Sequence, residues 1–146
     1  YCDVFYCGGT KNGLLFGEAV VITNDRLKPH FRNMIKQRGG MFAKGYLFGL
    51  QFSAYFQDGL WLQMARHAVA AAQRIKTAAL EKGYTLQADS PTNQIFLVTD
   101  DEKAAQLRER FVFESFGRID DHHEAARFVT SWATPDADVD ALIDAL

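Results

Sequence analysis

The chain has 146 residues, 48% of them hydrophobic and 23% charged, with a net charge of −2. That balance suits a globular protein with one sizeable core, and without runs of like charge it gives no basis for nucleic-acid or anionic-membrane partners. No apolar stretch reaches a membrane span and no basic-then-apolar signal opens the chain, so a cytoplasmic protein is expected.

In chain order, Val4-Phe5-Tyr6-Cys7 and residues 17–23 read as two strands. Asn24 is placed to cap a helix over residues 25–37, with Asp25 in its first turn and Pro29 weakening its start. Arg38-Gly39-Gly40 breaks that helix. Residues 43–57 carry Leu47, Leu50, Ala54 and Tyr55 at helical spacing, and Gly59 marks a join. A second long helix runs over residues 60–82, with Leu62, Ala65, Ala68, Ala72, Ile75 and Leu80 in register, and Gly83 is placed to end it. Strand 95–99, helix 102–110, strand 112–116, strand 126–132 and helix 137–146 follow. This order predicts an α+β layer, one sheet with helices on a face. No internal repeat or low-complexity tract is present.

Gly8-Gly9-Thr10-Lys11-Asn12-Gly13 lies between the first two strands. The pattern places Lys11 on a tight turn at the end of a buried strand, where burial favours the neutral amine that a Schiff base with a carbonyl cofactor requires. The flanking glycines allow close backbone approach to a bulky ligand. On spacing alone, the same turn reads as a plain hairpin loop with a solvated lysine. In the last strand, alternation sets Arg127, Val129 and Ser131 on one face and Phe128, Thr130 and Trp132 on the other. Arg127 is either a solvated strand-end charge or a planar fork for a carboxylate.

The cysteines, Cys2 and Cys7, match neither a metal knuckle nor a redox pair and read as reduced packing residues. His67, mid-helix among alanines, reads as a packed, hydrogen-bonded side chain. His122-His123 after Asp120-Asp121 reads as a solvated turn, and no ligand spacing for a metal is evident.

Taken together, Asp3 to Gly13, Phe16-Gly17-Glu18-Ala19-Val20-Val21-Ile22, Ile35-Lys36-Gln37-Arg38-Gly39-Gly40-Met41, Asp89-Ser90-Pro91-Thr92-Asn93-Gln94 and Arg127-Phe128-Val129-Thr130-Ser131-Trp132-Ala133-Thr134 resemble the threonine aldolase and β-eliminating lyase family. The blocks keep that family's order and spacing over essentially the whole chain. The resemblance implies an α/β fold of the fold-type-I, aminotransferase-like class. Residues 1–59 would end the large-domain sheet that binds pyridoxal 5'-phosphate, and residues 60–146 would form the small C-terminal α+β domain with its connecting helix. With no initiator methionine and Lys11 so near the start, the chain is expected to be the C-terminal part of a longer enzyme, inactive alone and ordered best from about Leu60 onward.

The resemblance also implies site roles. Lys11 would hold the cofactor as a Schiff base, with Gly9 and Thr10 beside it and the Thr10 hydroxyl offered to the phosphate. Where better-known threonine aldolases have an arginine after Gly-Gly-Met, this chain has Phe42, so Lys44, or alternatively Arg38, would supply the phosphate cation. Arg127 would clamp the substrate carboxylate. Ser131 stands where the family commonly has histidine, which puts the exact reaction in question. The expected reaction is Cα–Cβ cleavage of a β-hydroxy amino acid to glycine and an aldehyde, by a homodimer or homotetramer. The catalytic base and the partner of the pyridine nitrogen would lie outside this chain. The alternatives are β-elimination, transamination, or a non-catalytic dimerisation module on the same fold.

Overall fold

The structure, a computed structural model, describes residues 1–146 and divides into two units, Tyr1–Leu62 and Gln63–Leu146. In the first unit, strands β1 (Val4–Gly8) and β2 (Glu18–Ile22) pair antiparallel from Val4 opposite Ile22 to Gly8 opposite Glu18. A 3-10 turn, Thr10–Asn12, stands in their connection. β1 and β2 form a two-stranded ribbon with no third strand beside it, and Phe5, Tyr6, Val20 and Val21 are all exposed.

The single helix expected over residues 25–37 is two pieces, a 3-10 turn Asp25–Leu27 and α1 (Phe31–Gln37). Asn24 does cap the first piece, its side-chain oxygen accepting from the Arg26 amide at 3.0 Å. Pro29 has no N–H to return to the Asp25 carbonyl, and His30 sits at φ 60, so the helix restarts one residue later. Gly39 at φ 76 then ends α1. Helix α2 (Tyr46–Phe56) begins three residues later than expected, after a turn closed by the Gly45 amide on the Phe42 carbonyl at 3.0 Å. Asp58 and Gly59, both at positive φ, form the join to α3 (Leu60–Glu81).

The second unit is built on the apolar stripe of α3. Ala68, Ala71, Ala72, Ile75 and Ala79 are its buried residues, and the small side chains allow the helix backbone close to a sheet. That sheet has four antiparallel strands in the order β3-β4-β6-β5: β3 (Thr85–Ala88), β4 (Gln94–Asp100), β5 (Glu114–Arg118) and β6 (His123–Val129). Ile95, Leu97 and Thr99 alternate inward along β4, opposite Phe128, Ala126 and Glu124 of β6. Helices α4 (Asp101–Arg108) and α5 (Asp136–Ala145) contribute Leu107, Val139 and Leu142 to the same core. Asp100 caps α4 by accepting from the Lys103 amide at 2.7 Å.

Strand β3 has no counterpart in the sequence reading, and the last two strands are displaced from it. β5 starts at Glu114 rather than 112, and β6 runs from His123 to Val129 rather than from 126 to 132. Glu124 enters β6 because Arg108 Nη2 meets its carboxylate at 2.5 Å, which permits a charge only 6% exposed. Beyond Val129 the chain turns. The Thr130 hydroxyl donates to the Ala68 carbonyl at 2.6 Å, and the Ser131 amide donates to Thr134 Oγ1 at 2.8 Å. Trp132 therefore lies beyond the strand and is exposed, and does not share a strand face with Phe128 as the alternation predicted.

Gly83 ends α3 as expected. At φ 88 it donates its amide to the Leu80 carbonyl, while the Tyr84 amide reaches the Ala79 carbonyl, both at 3.0 Å, the two bonds of a Schellman turn. A Cβ at Gly83 would meet nothing within 4 Å. Gly83→Ala is therefore expected to cost only the left-handed backbone strain, about 1–2 kcal/mol, read as a lowered denaturant midpoint with an unchanged slope.

Candidate functional site

Lys11 occupies the middle position of the 3-10 turn Thr10–Asn12, which is closed by the Asn12 and Leu14 amides, both donating to the Gly9 carbonyl at 2.9 Å. Gly13, at φ 105, releases the chain from that turn. The turn is tied to α2 by side chains that the sequence reading did not single out. Asn12 Nδ2 donates to the Tyr55 hydroxyl and, at 3.2 Å, to the Trp61 carbonyl. Gln51 accepts from the Leu15 amide at 2.9 Å and donates to the Phe16 carbonyl at 3.3 Å. The available signals were an asparagine inside a glycine turn and a lone amide in an apolar helix. Neither identifies its partner.

Of the glycines flanking Lys11, Gly9 acts differently from the expectation that they leave room for a ligand, and Gly17 further on behaves as Gly9 does. A Cβ on Gly9, which is buried, would overlap the Leu14 side chain, and one on Gly17 would overlap the Phe48 ring. Both are spaces already filled by this unit's own packing. Within these 146 residues Lys11 is exposed, and its amine has no hydrogen-bond or ion-pair partner. Thr10, Lys44 and Arg38 are likewise exposed and unpartnered. The turn is thus a rigidly anchored base carrying a free primary amine, with a hydroxyl next to it.

Arg127 lies in the second unit, on the sheet face away from Ile95, Leu97 and Phe128. It stands directly opposite Phe96 of β4 and Glu114 of β5, so the three form one row across the sheet. Its Nη2 donates to Glu114 Oε2, its guanidinium carbon lies 5.6 Å from the Phe116 ring centre, and its buried Nε has no partner. Of the two residue roles read from the sequence, neither a bare strand end nor an empty fork describes it. The arginine is three-quarters buried with one carboxylate already on it.

The histidines do not form a site. His67 Nε2 donates to the Thr134 carbonyl at 2.8 Å, the packed role expected of it. His123 Nδ1 meets Asp120 at 2.8 Å in the turn before β6. The His122 amide and then the His123 ring hold the Asp120 carboxyl below the usual carboxylate range, and a hydrogen bond from Arg118 does the same for Asp101. No group of three or more metal-binding side chains occurs. Cys2 and Cys7 are free, and Cys2 is exposed rather than packed, because it precedes the first strand. No helix is long and apolar enough to cross a membrane.

A cleft of about 430 Å³ in the second unit, lined by Tyr84, Thr99, Lys82 and Lys103 among others, contains none of the expected site residues. Its cations are engaged by the end of α5. Lys82 donates to the Ile143 carbonyl at 2.6 Å and Lys103 to that of Ala145 at 2.7 Å.

No family model matches the chain. It is 31% identical over 142 residues to a low specificity L-threonine aldolase of a Pseudomonas species, covering 94% of this chain and 39% of that protein. A low specificity L-threonine aldolase of Pseudomonas aeruginosa is 31% identical over 137 residues, 90% of this chain and 38% of that protein. Among solved structures, a threonine aldolase of Leishmania major superposes with a TM-score of 0.93 at 36% identity, over 97% of this chain and 42% of that one. The chain therefore spans about two fifths of the length of the proteins it matches.

Proposed function

We infer, from the premise that this chain belongs to the threonine aldolase family as its C-terminal part, that it supplies the cofactor lysine and the carboxylate-binding arginine of a lyase. That enzyme would cleave the Cα–Cβ bond of a β-hydroxy amino acid to glycine and an aldehyde. The observation that carries this reading is the free amine of Lys11 on a turn anchored at Asn12, Leu14 and Gln51. The anchors fix the backbone on both sides of Lys11, and a covalent attachment point for a cofactor requires such a fixed backbone.

The residues present fit pyridoxal 5'-phosphate. Lys11 offers an unpaired amine, Thr10 an unpaired hydroxyl, and Lys44 an unpaired cation beside the start of α2. Lys11 would hold the cofactor covalently, Gly9 and Thr10 would set the lysine's backbone, and Thr10 and Lys44 would bind phosphate oxygens. When bound, the cofactor supplies an electron sink for the carbanion left at Cα. Arg127 would hold the substrate carboxylate and thereby orient the scissile bond, a positioning effect that accelerates reaction by fixing geometry in advance. Residues 1–59 would belong to the cofactor-binding large domain and residues 60–146 to the small domain, in a cytoplasmic homodimer or homotetramer.

Product analysis tests the reaction class. Incubating the cofactor-loaded full-length protein with threonine should release glycine and acetaldehyde in equal amounts. Pyruvate or another keto acid with ammonia, formed from serine or threonine in their place, would assign it to elimination chemistry instead. The 146-residue chain alone is expected to show no turnover in the same assay.

A further inference from the structure

We propose that Glu114 is a resident carboxylate on Arg127, which an amino-acid substrate must displace, so that Glu114 sets the enzyme's affinity for its substrate. The proposal rests on the reading of Arg127 as the carboxylate clamp and adds a residue to it.

Arg127 makes one side-chain hydrogen bond, from Nη2 to Glu114 Oε2. A guanidinium grips a carboxylate with two parallel bonds along one edge, either Nε with Nη2 or Nη1 with Nη2. Nη2 belongs to both edges. Each edge uses a different N–H of Nη2, so Glu114 occupies one of them and leaves the arginine incompletely satisfied, and a second carboxylate gripping either edge would lie beside the like charge of Glu114 until that residue moves away. Buried Nε has no partner.

The surroundings favour exchange over a permanent pair. The Arg127 side chain is 26% exposed and backed by Phe116, whereas that of Glu114 is 72% exposed. The arginine is the fixed member and the glutamate the loose one. An exposed carboxylate on a flexible stem is held weakly against water, so it can swing away at small cost. Glu114 stands on β5 directly opposite Arg127, and the sheet register returns it to the same place whenever the substrate leaves. The exchange swaps one carboxylate for another on the same cation, so the local charge balance is kept. A neutral or amide-terminated ligand makes no ion pair with the guanidinium and does not compete with Glu114 for it, so Glu114 lowers affinity for free α-carboxylates alone.

The test uses the cofactor-loaded full-length protein and compares an amino-acid substrate with its carboxamide. Glu114→Gln should lower KM for the acid about two- to fivefold, the span of an exposed ion pair, with kcat unchanged and the carboxamide unaffected. Binding of glycine by calorimetry should tighten by the same factor. Glu102→Gln removes an equal charge from α4 and should leave both values unmoved. A KM for the acid that is unchanged or raised in Glu114→Gln, or one lowered equally by Glu102→Gln, would overturn the proposal. In those cases Arg127→Ala would still abolish the preference for acid over amide if the clamp reading is right. Preservation of that preference in Arg127→Ala would instead remove the clamp reading, and with it this proposal.

Discussion

Replacing Lys11 by alanine in the cofactor-loaded full-length protein is expected to eliminate the visible absorbance of bound cofactor and to reduce turnover at least about a thousandfold, roughly 4 kcal/mol of barrier. The effect should be chemical and not structural. Lys11 is exposed and unpartnered, and the turn that carries it is held by its neighbours: Asn12 on Tyr55 and Trp61, Leu14 against Gly9, and Gln51 on Leu15 and Phe16. Stability should therefore change by no more than about 0.5 kcal/mol, as for other surface truncations. Borohydride reduction followed by peptide mass analysis is the decisive measurement. In the unmodified protein the label should fall on the peptide containing Lys11. A label of undiminished yield in Lys11→Ala would show that another lysine holds the cofactor.

Arg127→Ala should separate from that variant by its signature. The cofactor absorbance should remain, while kcat/KM for the amino acid falls by roughly 30- to 160-fold, the equivalent of about 2–3 kcal/mol for a lost charge-assisted pair. Arg127→Lys keeps the charge but not the planar fork, and should recover only part of the loss. The row Phe96, Arg127 and Glu114 lies on the open side of the sheet, so truncation should disturb the core little. Amino-acid affinity equal to that of the parent would reduce Arg127 to a cross-strand partner of Glu114.

Both predictions depend on features with different legibility. Lys11 stands out locally because glycines bracket it within six residues of sequence. What holds its turn does not stand out, since Asn12 and Tyr55 meet across 43 residues of chain. Arg127 was recognisable as an inward or outward member of a strand from alternation alone. Its pairing with Glu114 depends on how β5 registers against β6, and β5 carries an irregularity between Ser115 and Arg118 that no alternation rule anticipates.

What the sequence determined by itself was governed by short-range rules. The strands at Val4–Gly8 and Glu18–Ile22, the long run of α3 with alanines along one stripe, and its stop at Gly83 all follow from periodicity and from backbone freedom at single residues. Pro29 was legible only as weakening the start of one helix, and the division into a 3-10 turn and α1 was decided by where the next hydrogen bonds could close. Only the tertiary structure decided the rest: β3 exists because Thr85 and Leu86 find Val98 and Leu97, and β6 admits Glu124 because Arg108 is waiting for it. It also left Lys11 exposed on a two-stranded ribbon and placed a carboxylate on Arg127. These outcomes share one cause. A strand's boundary, a charge's burial and a cation's partner are properties of pairs, and their members lie too far apart in sequence for either residue to announce the other.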